Sequence, residues 1–292
     1  MHNHLSNAKR VKNDEFYTRR VDVDAELVNY KSFFNGKVVY CNCDDEGSAF
    51  KSYFVENYYA LQLQGLFCTG IDGESFEYDG SSMTVSKIDG DFRSSDSIKL
   101  LEQADIVVSN PPFSLFREYM AQLFDYGKDF LVIGNKNAIS YEEVFPALKD
   151  GIVRLGFTTS NIFHTPMGTT NLQGLCRWFT TLPTPDKTFW TPTASVNDRE
   201  YQSFDLYPAL NVDKTSEIPC DHHGLMGVPI TALGHLDPTK FEIVDLIARY
   251  AVINHTYDVR GRQLTEINGK PRYSRLIINK LKENKNENKT KL

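Results

Sequence analysis

The sequence lacks any long uninterrupted apolar run. No stretch approaches the roughly 18 consecutive apolar residues that a membrane-spanning helix needs. Its first residues include Lys9 and Arg10 but have none of the apolar core that marks a secretory signal peptide. We therefore expect a soluble chain, cytoplasmic by default and without a membrane partner.

Cysteine is scarce, and its spacing excludes two common uses. The five cysteines are odd in number and include no Cys-x-x-Cys pair, which indicates a reducing compartment and buried thiols rather than a disulfide framework. Asp44-Asp45 and Cys220-Asp-His222-His223 lack the paired spacing of a structural zinc site. We expect no metal ion.

What the chain does contain is ample material for a core. It has 292 residues, 41% of them apolar and 12% aromatic, which excludes disorder for the body of the chain and allows one large domain or two small ones. The net charge of −6 is unevenly spread, because residues 258–292 hold ten Lys and Arg against four acids and residues 1–20 hold five against two. Basic ends on an acidic body can bind a polyanion such as nucleic acid. The alternative is that the end of the chain is a solvated, disordered tail.

Strand and helix signals alternate through the first half. β-rich runs at 37–43, 66–71, 105–109 and 130–133 alternate with helical periodicity at 50–61, 98–103 and 115–124. This order predicts βαβ units, and therefore an α/β fold with a mostly parallel sheet. Asp79-Gly80 predicts a hairpin turn. Ser114 is the expected N-cap of the helix at 115–124, and Ser140 with Glu143 has the spacing of a capping box before another helix.

The pattern changes near residue 160. Eight prolines between Pro166 and Pro238 divide this part of the chain into short pieces, among them a strand-like run at 175–182. Asn268-Gly269 predicts a second hairpin with basic flanks. We expect a catalytic domain at 1–160 with a basic N-terminal segment at 1–20. An irregular, loop- and strand-rich half would follow at 161–280, and a basic disordered tail at 281–292.

The motif Asn110-Pro111-Pro112-Phe113 lies where a buried strand meets a helix, the edge at which open α/β sheets bind ligands. An exocyclic nucleobase amine is a poor nucleophile because its lone pair is delocalised. The side-chain oxygen of Asn110 and the carbonyl of Pro111 can accept its hydrogens, while two prolines hold the turn rigid. Phe113 offers a flat face to an unstacked base. The alternative is an ordinary Pro-Pro turn with Phe113 in the core.

These residues resemble the catalytic motif of S-adenosylmethionine-dependent amino-methyltransferases. More of the chain, from about residue 13 to 280, is similar to the EcoRI-type adenine-specific DNA methyltransferases. The matching stretches are 13–18, 90–94, 104–118, 133–139, 211–213 and 226–230.

The resemblance implies a Rossmann-like methyltransferase sheet and assigns roles residue by residue. Asn110, Pro111, Pro112 and Phe113 would form the pocket for the target adenine. Residues expected to bind S-adenosylmethionine are Phe16, Tyr17, Asp44, Asp45, Gly47, Ser48, Asp72, Asp91 and Phe92. The turn at 43–48 departs from the usual Gly-rich loop because it has only Gly47. These residues also have ordinary interpretations: an acidic helix start for the turn, a plain turn aspartate for Asp72, and edge packing for Phe16 and Tyr17.

The predicted function is N6-methylation of a flipped-out adenine in double-stranded DNA, as part of a restriction-modification system. We expect the chain to act as a monomer. The irregular second half would read the sequence, and the basic 260–275 hairpin would contact phosphates. Two alternatives stay open. One is an RNA or protein-glutamine N-methyltransferase, in which an amide nitrogen poses the same lone-pair problem. The other is a catalytically dead DNA-binding decoy.

Overall fold

The structure, a computed structural model, describes residues 17–165, 168–172, 174–247 and 264–282. Two compact units make up the chain, and the division between them falls between Asp186 and Lys187. The sequence pattern placed a boundary near residue 160 instead. The difference arises because the strands between residues 162 and 180 pair with strands of the first unit.

The first unit contains both helices and strands. Its helices are α1 (Arg20–Leu27), α2 (Ala49–Asn57), α3 (Ser95–Gln103), α4 (Phe116–Asp125) and α5 (Phe145–Lys149). Its strands are β1 (Tyr17–Thr18), β2 (Val38–Cys41), β3 (Gly65–Thr69), β4 (Glu74–Tyr78), β5 (Met83–Lys87), β6 (Ile106–Ser109), β7 (Asp129–Asn135), β8 (Arg154–Leu155), β9 (Ile162–Thr165), β10 (Gly168–Asn171) and β11 (Cys176–Thr180). Short 3-10 helices cover Val28–Phe34, Phe113–Leu115 and Lys136–Ser140.

An eight-stranded sheet forms the centre of this unit, in the order β5-β4-β3-β2-β6-β7-β11-β8. The four middle strands, β3, β2, β6 and β7, are parallel. The pairings on both sides of them are antiparallel. The sheet is therefore mixed, and the expectation of a mostly parallel sheet holds only for its centre. A separate small sheet joins β1, β9 and β10.

The core of the unit lies against the parallel strands. All four residues of β6 are buried, as expected of a strand covered on both faces. The buried face of α2 carries Phe50 and Phe54 into this core. There Phe50 meets the fully buried Trp178 edge-on, with ring centroids 5.9 Å apart. The helical periodicity predicted for this segment is confirmed.

Two predicted helix caps are wrong. Ser114 lies inside the 3-10 turn that follows Pro112, so α4 begins only at Phe116 and has no side-chain cap. Ser140 ends another 3-10 helix, and α5 begins later, after Val144, again without a side-chain cap. In both places the chain tightens into a 3-10 turn before it becomes α-helical.

The second unit contains strands and 3-10 turns, with no α-helix among its described residues. Its strands are β12 (Leu210–Asn211), β13 (Met226–Pro229), β14 (Phe241–Ile247), β15 (Glu266–Ile267), β16 (Lys270–Pro271) and β17 (Arg275–Lys280), and its 3-10 helices are Thr215–Glu217 and Ile230–Gly234. The main sheet has the order β12-β13-β17-β14. Strands β15 and β16 form the predicted hairpin, with positive φ angles of 52° at Asn268 and 68° at Gly269.

Arg275 does not have the exposure that the predicted phosphate-contacting role requires. Its guanidinium is buried, donates to the Asn211 side chain at 3.0 Å and forms an ion pair with Asp213 at 3.1 Å. The arginine therefore ties β17 to the segment after β12. Among the other basic residues of the predicted hairpin, Lys270 is exposed and Arg272 is half-buried. Arg260 and Arg262 lie outside the described residues, as does the end of the chain from 283 onward.

No helix among the described residues is both long enough and apolar enough to cross a membrane.

Candidate active site

A cavity of about 580 Å³ opens in the first unit, beyond the ends of β2, β3 and β6. Its volume lies within the range of small-molecule sites. The lining comes from residues that follow these parallel strands, together with a stretch near residue 90, the start of α1 and β9. The motifs at 43–48, 90–92 and 110–112, which are far apart in sequence, therefore share one cavity.

The acid-rich turn after β2 forms one wall. Asp44, Asp45, Gly47 and Ser48 all line the cavity. Ser48 caps α2, because its Oγ accepts the amide of Phe50 at 3.0 Å. Asp45 accepts the amide of Gly47 through Oδ1 at 3.0 Å, and its Oδ2 accepts the Tyr17 hydroxyl at 3.3 Å. The turn is thus fixed by its own side chains rather than by a run of glycines.

Asp44 differs from its neighbour because its carboxyl group is buried. Oδ1 accepts the Ser48 hydroxyl at 2.6 Å, and Oδ2 accepts the Ser109 hydroxyl at 2.7 Å. Burial raises the pKa of Asp44 to about 7, although both hydroxyls and their hydrogen bonds favour the charged form. Asp45 raises this pKa further through like-charge repulsion.

The Asn-Pro-Pro-Phe corner forms a second wall. Asn110 and Pro112 are half-buried and line the cavity. Pro111 is buried and is not among the lining residues. Phe113 is also absent from the lining and packs edge-to-face on Phe163, with centroids 6.2 Å apart and planes at 90°. The corner therefore presents Asn110 to the cavity while Phe113 contributes to the adjoining core.

The stretch at 90–93 supplies a third wall. Asp91 lines the cavity, but its carboxylate already accepts two hydrogen bonds from the Arg93 guanidinium, at 2.9 and 2.7 Å. Arg93 therefore lowers the pKa of Asp91 below its ordinary value. Phe92 is almost fully buried and meets Tyr119 edge-on at 5.1 Å.

Two glycines allow the backbone to close under this wall. A Cβ on Gly90 would lie 1.8 Å from the carbonyl oxygen of Gly70, a distance that no side chain tolerates. A Cβ on Gly70 would lie 2.9 Å from the Cβ of Asp45. The chain segments at residues 45, 70 and 90 are therefore in close contact, with no room for a side chain on either glycine.

One predicted cofactor residue among those that the structure describes does not line the cavity. Asp72 is exposed and absent from the lining, and its Oδ1 accepts the backbone amide of Glu74 at 3.2 Å, as in an ordinary aspartate turn. Its neighbour Ile71 lines the cavity instead, although 65% of its surface is exposed. Phe16 lies outside the described residues, whereas Tyr17 lines the cavity.

The structure adds residues that the sequence did not predict. Arg19 and Arg20, at the start of α1, line the cavity together with His164 of β9. They arrive there because β1 pairs with β9, so that Tyr17 lies opposite His164. Both arginines are paired with acids: Arg19 with Asp22 at 2.9 Å, and Arg20 with Glu56 at 2.6 Å and Asp24 at 2.8 Å.

The described residues contain no group of three or more His, Cys, Asp and Glu side chains arranged to hold a metal ion. The polar groups that line the cavity are carboxylates, hydroxyls, guanidinium groups, an amide, the His164 imidazole and the Cys43 thiol, beside the apolar Ile71 and Leu115. Such a lining suits a polar ligand that carries both charges and an apolar part.

Comparison with known proteins identifies the family. A family model described as "Adenine-specific methyltransferase EcoRI" matches residues 4–85 and 82–284. "Type II methyltransferase M.EcoRI" of Escherichia coli is 38% identical over 320 residues, which cover 94% of this chain and 95% of that protein. "Type II methyltransferase M.MgeORF184P" of Mycoplasma genitalium is 36% identical, with 95% and 98% covered. "Type II methyltransferase M.MpnI" of Mycoplasma pneumoniae is 35% identical, with 94% and 97% covered. No solved structure matches the chain.

Proposed function

Because this chain belongs to the EcoRI family of adenine-specific methyltransferases, as its sequence predicted, we propose that it transfers a methyl group to the N6 amine of adenine in double-stranded DNA. The observation that carries the proposal to particular residues is that Asn110 and the acid-rich turn at 44–48 line the same cavity. A methyl donor and an acceptor amine must meet within one such space for transfer to occur.

We propose S-adenosylmethionine as the donor, and the lining of the cavity fits its chemistry. The carboxylates of Asp45 and Asp91 suit a ligand with an ammonium group, a sulfonium group and ribose hydroxyls. Phe92 and Ile71 offer apolar surface to an adenine ring. When bound, this cofactor supplies an electrophilic methyl group on sulfur.

The proposed task of the Asn-Pro-Pro corner is to prepare the amine for attack. Asn110 accepts one amine hydrogen through its side-chain oxygen, and the Pro111 carbonyl accepts the other, which draws the nitrogen lone pair towards tetrahedral geometry. Pro111 and Pro112 keep both acceptors in place because they remove backbone freedom on each side of the peptide. Stacking of Phe113 on the base stays a prediction, since its ring packs on Phe163.

An adenine inside a duplex cannot reach this corner, so it has to leave the base stack, at a cost of about a few kcal/mol. We propose that the region from 161 to 280, which includes most of the second unit, contacts the DNA around the flipped adenine and recognises its sequence. The parallel centre of the large sheet would then serve as the Rossmann-like platform of the catalytic part. An enzyme that modifies DNA in this way is expected in the cytoplasm.

The decisive experiment is methylation of a plasmid followed by modification-sensitive sequencing. Plasmid isolated from cells that express the chain should carry N6-methyladenine at one short sequence, and plasmid from cells that express Asn110→Ala should carry none. Tritium transfer to RNA or to protein, with none to duplex DNA, would favour the amide-methyltransferase alternative. Failure to bind S-adenosylmethionine in calorimetry would favour the catalytically dead decoy.

A further inference from the structure

A buried hydrogen-bonded bridge connects the two walls of the cavity. On one side, Ser48 donates its hydroxyl hydrogen to Asp44 and accepts the amide of Phe50 at the start of α2. On the other side, Ser109 donates to the second oxygen of Asp44 at 2.7 Å. Ser109 is the last residue of β6, and Asn110 follows it directly. The acid-rich turn and the catalytic corner are thus joined through one carboxylate.

We propose that Asp44 is a positioning residue that fixes the catalytic corner relative to the acid-rich turn, by holding Ser109 and therefore the backbone from which Asn110 projects. This inference rests on the proposed function, because it gives Asp44 a task in that same reaction. Asp44 was expected from the family resemblance to contact the cofactor. Its two oxygens instead each accept a short hydrogen bond from a serine, one on either wall.

Burial of the Asp44 carboxylate in this bridge costs solvation free energy, which a bridge of neutral groups would avoid. A carboxylate taken out of water is expensive unless cations or several donors compensate for the lost solvation. Asp44 is 6% exposed, and desolvation outweighs the help of its two hydroxyl donors. Among the described residues, the titratable groups that interact with it are Cys41 at the end of β2, Cys43 in the turn after it, Asp45 and Tyr119 on α4, and none of them is a cation.

The geometry of the bridge depends on the charge of Asp44. The ionised carboxylate accepts from both serines at once. A protonated carboxyl carries a hydrogen of its own, so one serine hydroxyl has to turn away or become an acceptor. With a pKa of about 7, this change falls near neutral pH. The catalytic corner should therefore be held best above that pH.

A test on the cofactor-free protein measures the bridge directly. The carboxyl carbon of Asp44, labelled with ¹³C-aspartate and assigned with Asp44→Asn, is titrated by NMR. We expect a midpoint near 7, and a higher midpoint in Ser109→Ala because that change removes a donor to the charged form. Ser75→Ala is the matched control. Ser75 is buried in β4 and outside the cavity, and its hydroxyl has no hydrogen-bond partner among the described residues, so the Asp44 midpoint should not move.

Kinetics then separate positioning from cofactor contact. Loss of a hydrogen bond to a charged group corresponds to a loss of about tenfold to a hundredfold in rate when it is expressed only in the transition state. We expect Ser109→Ala to lower kcat by this factor while the Kd for S-adenosylmethionine, measured by calorimetry, changes less than about twofold. In Asp44→Asn, the fall of kcat below pH 7 that we expect in the unaltered protein should disappear, because the side chain no longer titrates. Ser75→Ala should match the unaltered protein in both constants.

Three results would overturn the positioning role. The first is an Asp44 titration midpoint near 4 that does not change in Ser109→Ala. The others are an unchanged kcat in Ser109→Ala, or a weaker Kd for S-adenosylmethionine in that variant with kcat preserved. If Ser109→Ala does not fold, the pH profile of the near-isosteric Asp44→Asn decides alone, and an unchanged profile counts against the role. A protein that methylates no adenine refutes the proposed function instead. The NMR titration still reports whether the bridge exists.

Discussion

Glu26 on α1 offers the sharpest test of how the wall beside the cavity is built. Its carboxylate is completely buried. It accepts the Tyr30 hydroxyl at 2.9 Å, the amides of Phe157 and Thr158 at 2.8 and 2.6 Å, and the Thr158 hydroxyl at 2.6 Å. One side chain thus fastens α1, which carries Arg19 and Arg20 into the cavity, to the loop before β9.

The substitution Glu26→Gln keeps the size of the side chain and removes half of its acceptor capacity. Its remaining oxygen can serve Tyr30 and Phe157, but its NH₂ group then points at the amide hydrogen of Thr158, donor against donor. An unsatisfied buried donor costs about 1–3 kcal/mol, and the bonds that remain lose the strengthening effect of the charge. We expect a total loss of about 2–4 kcal/mol in the free energy of unfolding, a large part of what a domain has in all.

Urea unfolding followed by circular dichroism measures this loss as a lower midpoint with an unchanged slope. Glu56→Gln is the matched control, because Glu56 also pairs with α1 through Arg20 but does so at the surface. The urea midpoint of Glu56→Gln should equal that of the unaltered protein. If Glu26→Gln unfolds at the same urea concentration as the unaltered protein, the four hydrogen bonds do not stabilise this wall.

Two further predictions concern the corner and the second unit. Asn110→Ala should reduce methyl transfer to background in a tritium assay and leave the Kd for S-adenosylmethionine within a few-fold, because the side chain is proposed to serve the amine rather than the donor; residual turnover near the unaltered rate would exclude this role. Asp205→Ala should speed hydrogen exchange of the amides of Asn268 and Gly269 about fivefold, since the carboxylate accepts both, at 2.9 and 2.8 Å, and each such bond at an exposed site is worth about 1 kcal/mol. Equal exchange rates would show that the hairpin holds its shape without Asp205.

The elements that sequence reasoning predicted are those with local signals. The periodicity of α2 and the Asn268-Gly269 turn are determined by residues close together in the chain, and both are confirmed. The mixed sheet was missed, although part of its signal was present. Only four residues separate β3 from β4, which is too short for a parallel crossover and requires an antiparallel pairing.

The residues of the candidate site likewise divide into those that the sequence indicates and those that it does not. The motif at 110–112 and the turn at 44–48 were expected at one edge because parallel strands end together, and they share the cavity. Tyr17 was expected there from the family resemblance, but His164, which lies opposite it on β9, was not, because nothing in a sequence marks a contact over such a separation. Ser109 was passed over because a serine inside a buried strand has no local pattern that indicates which carboxylate it will meet. Asp72 was misplaced because its side chain serves its own turn.

The contact between Gly70 and Gly90 has a consequence for anyone who wishes to change the donor that the protein accepts. The base of the cavity there is main chain against main chain, so no substitution can enlarge it and any added side chain would force the loops apart. Extra room for a bulkier alkyl donor would have to come from side chains that line the cavity, and the exposed Ile71 and the half-buried Leu115 can both be shortened. Redesign of the transferred group therefore begins with these two apolar side chains.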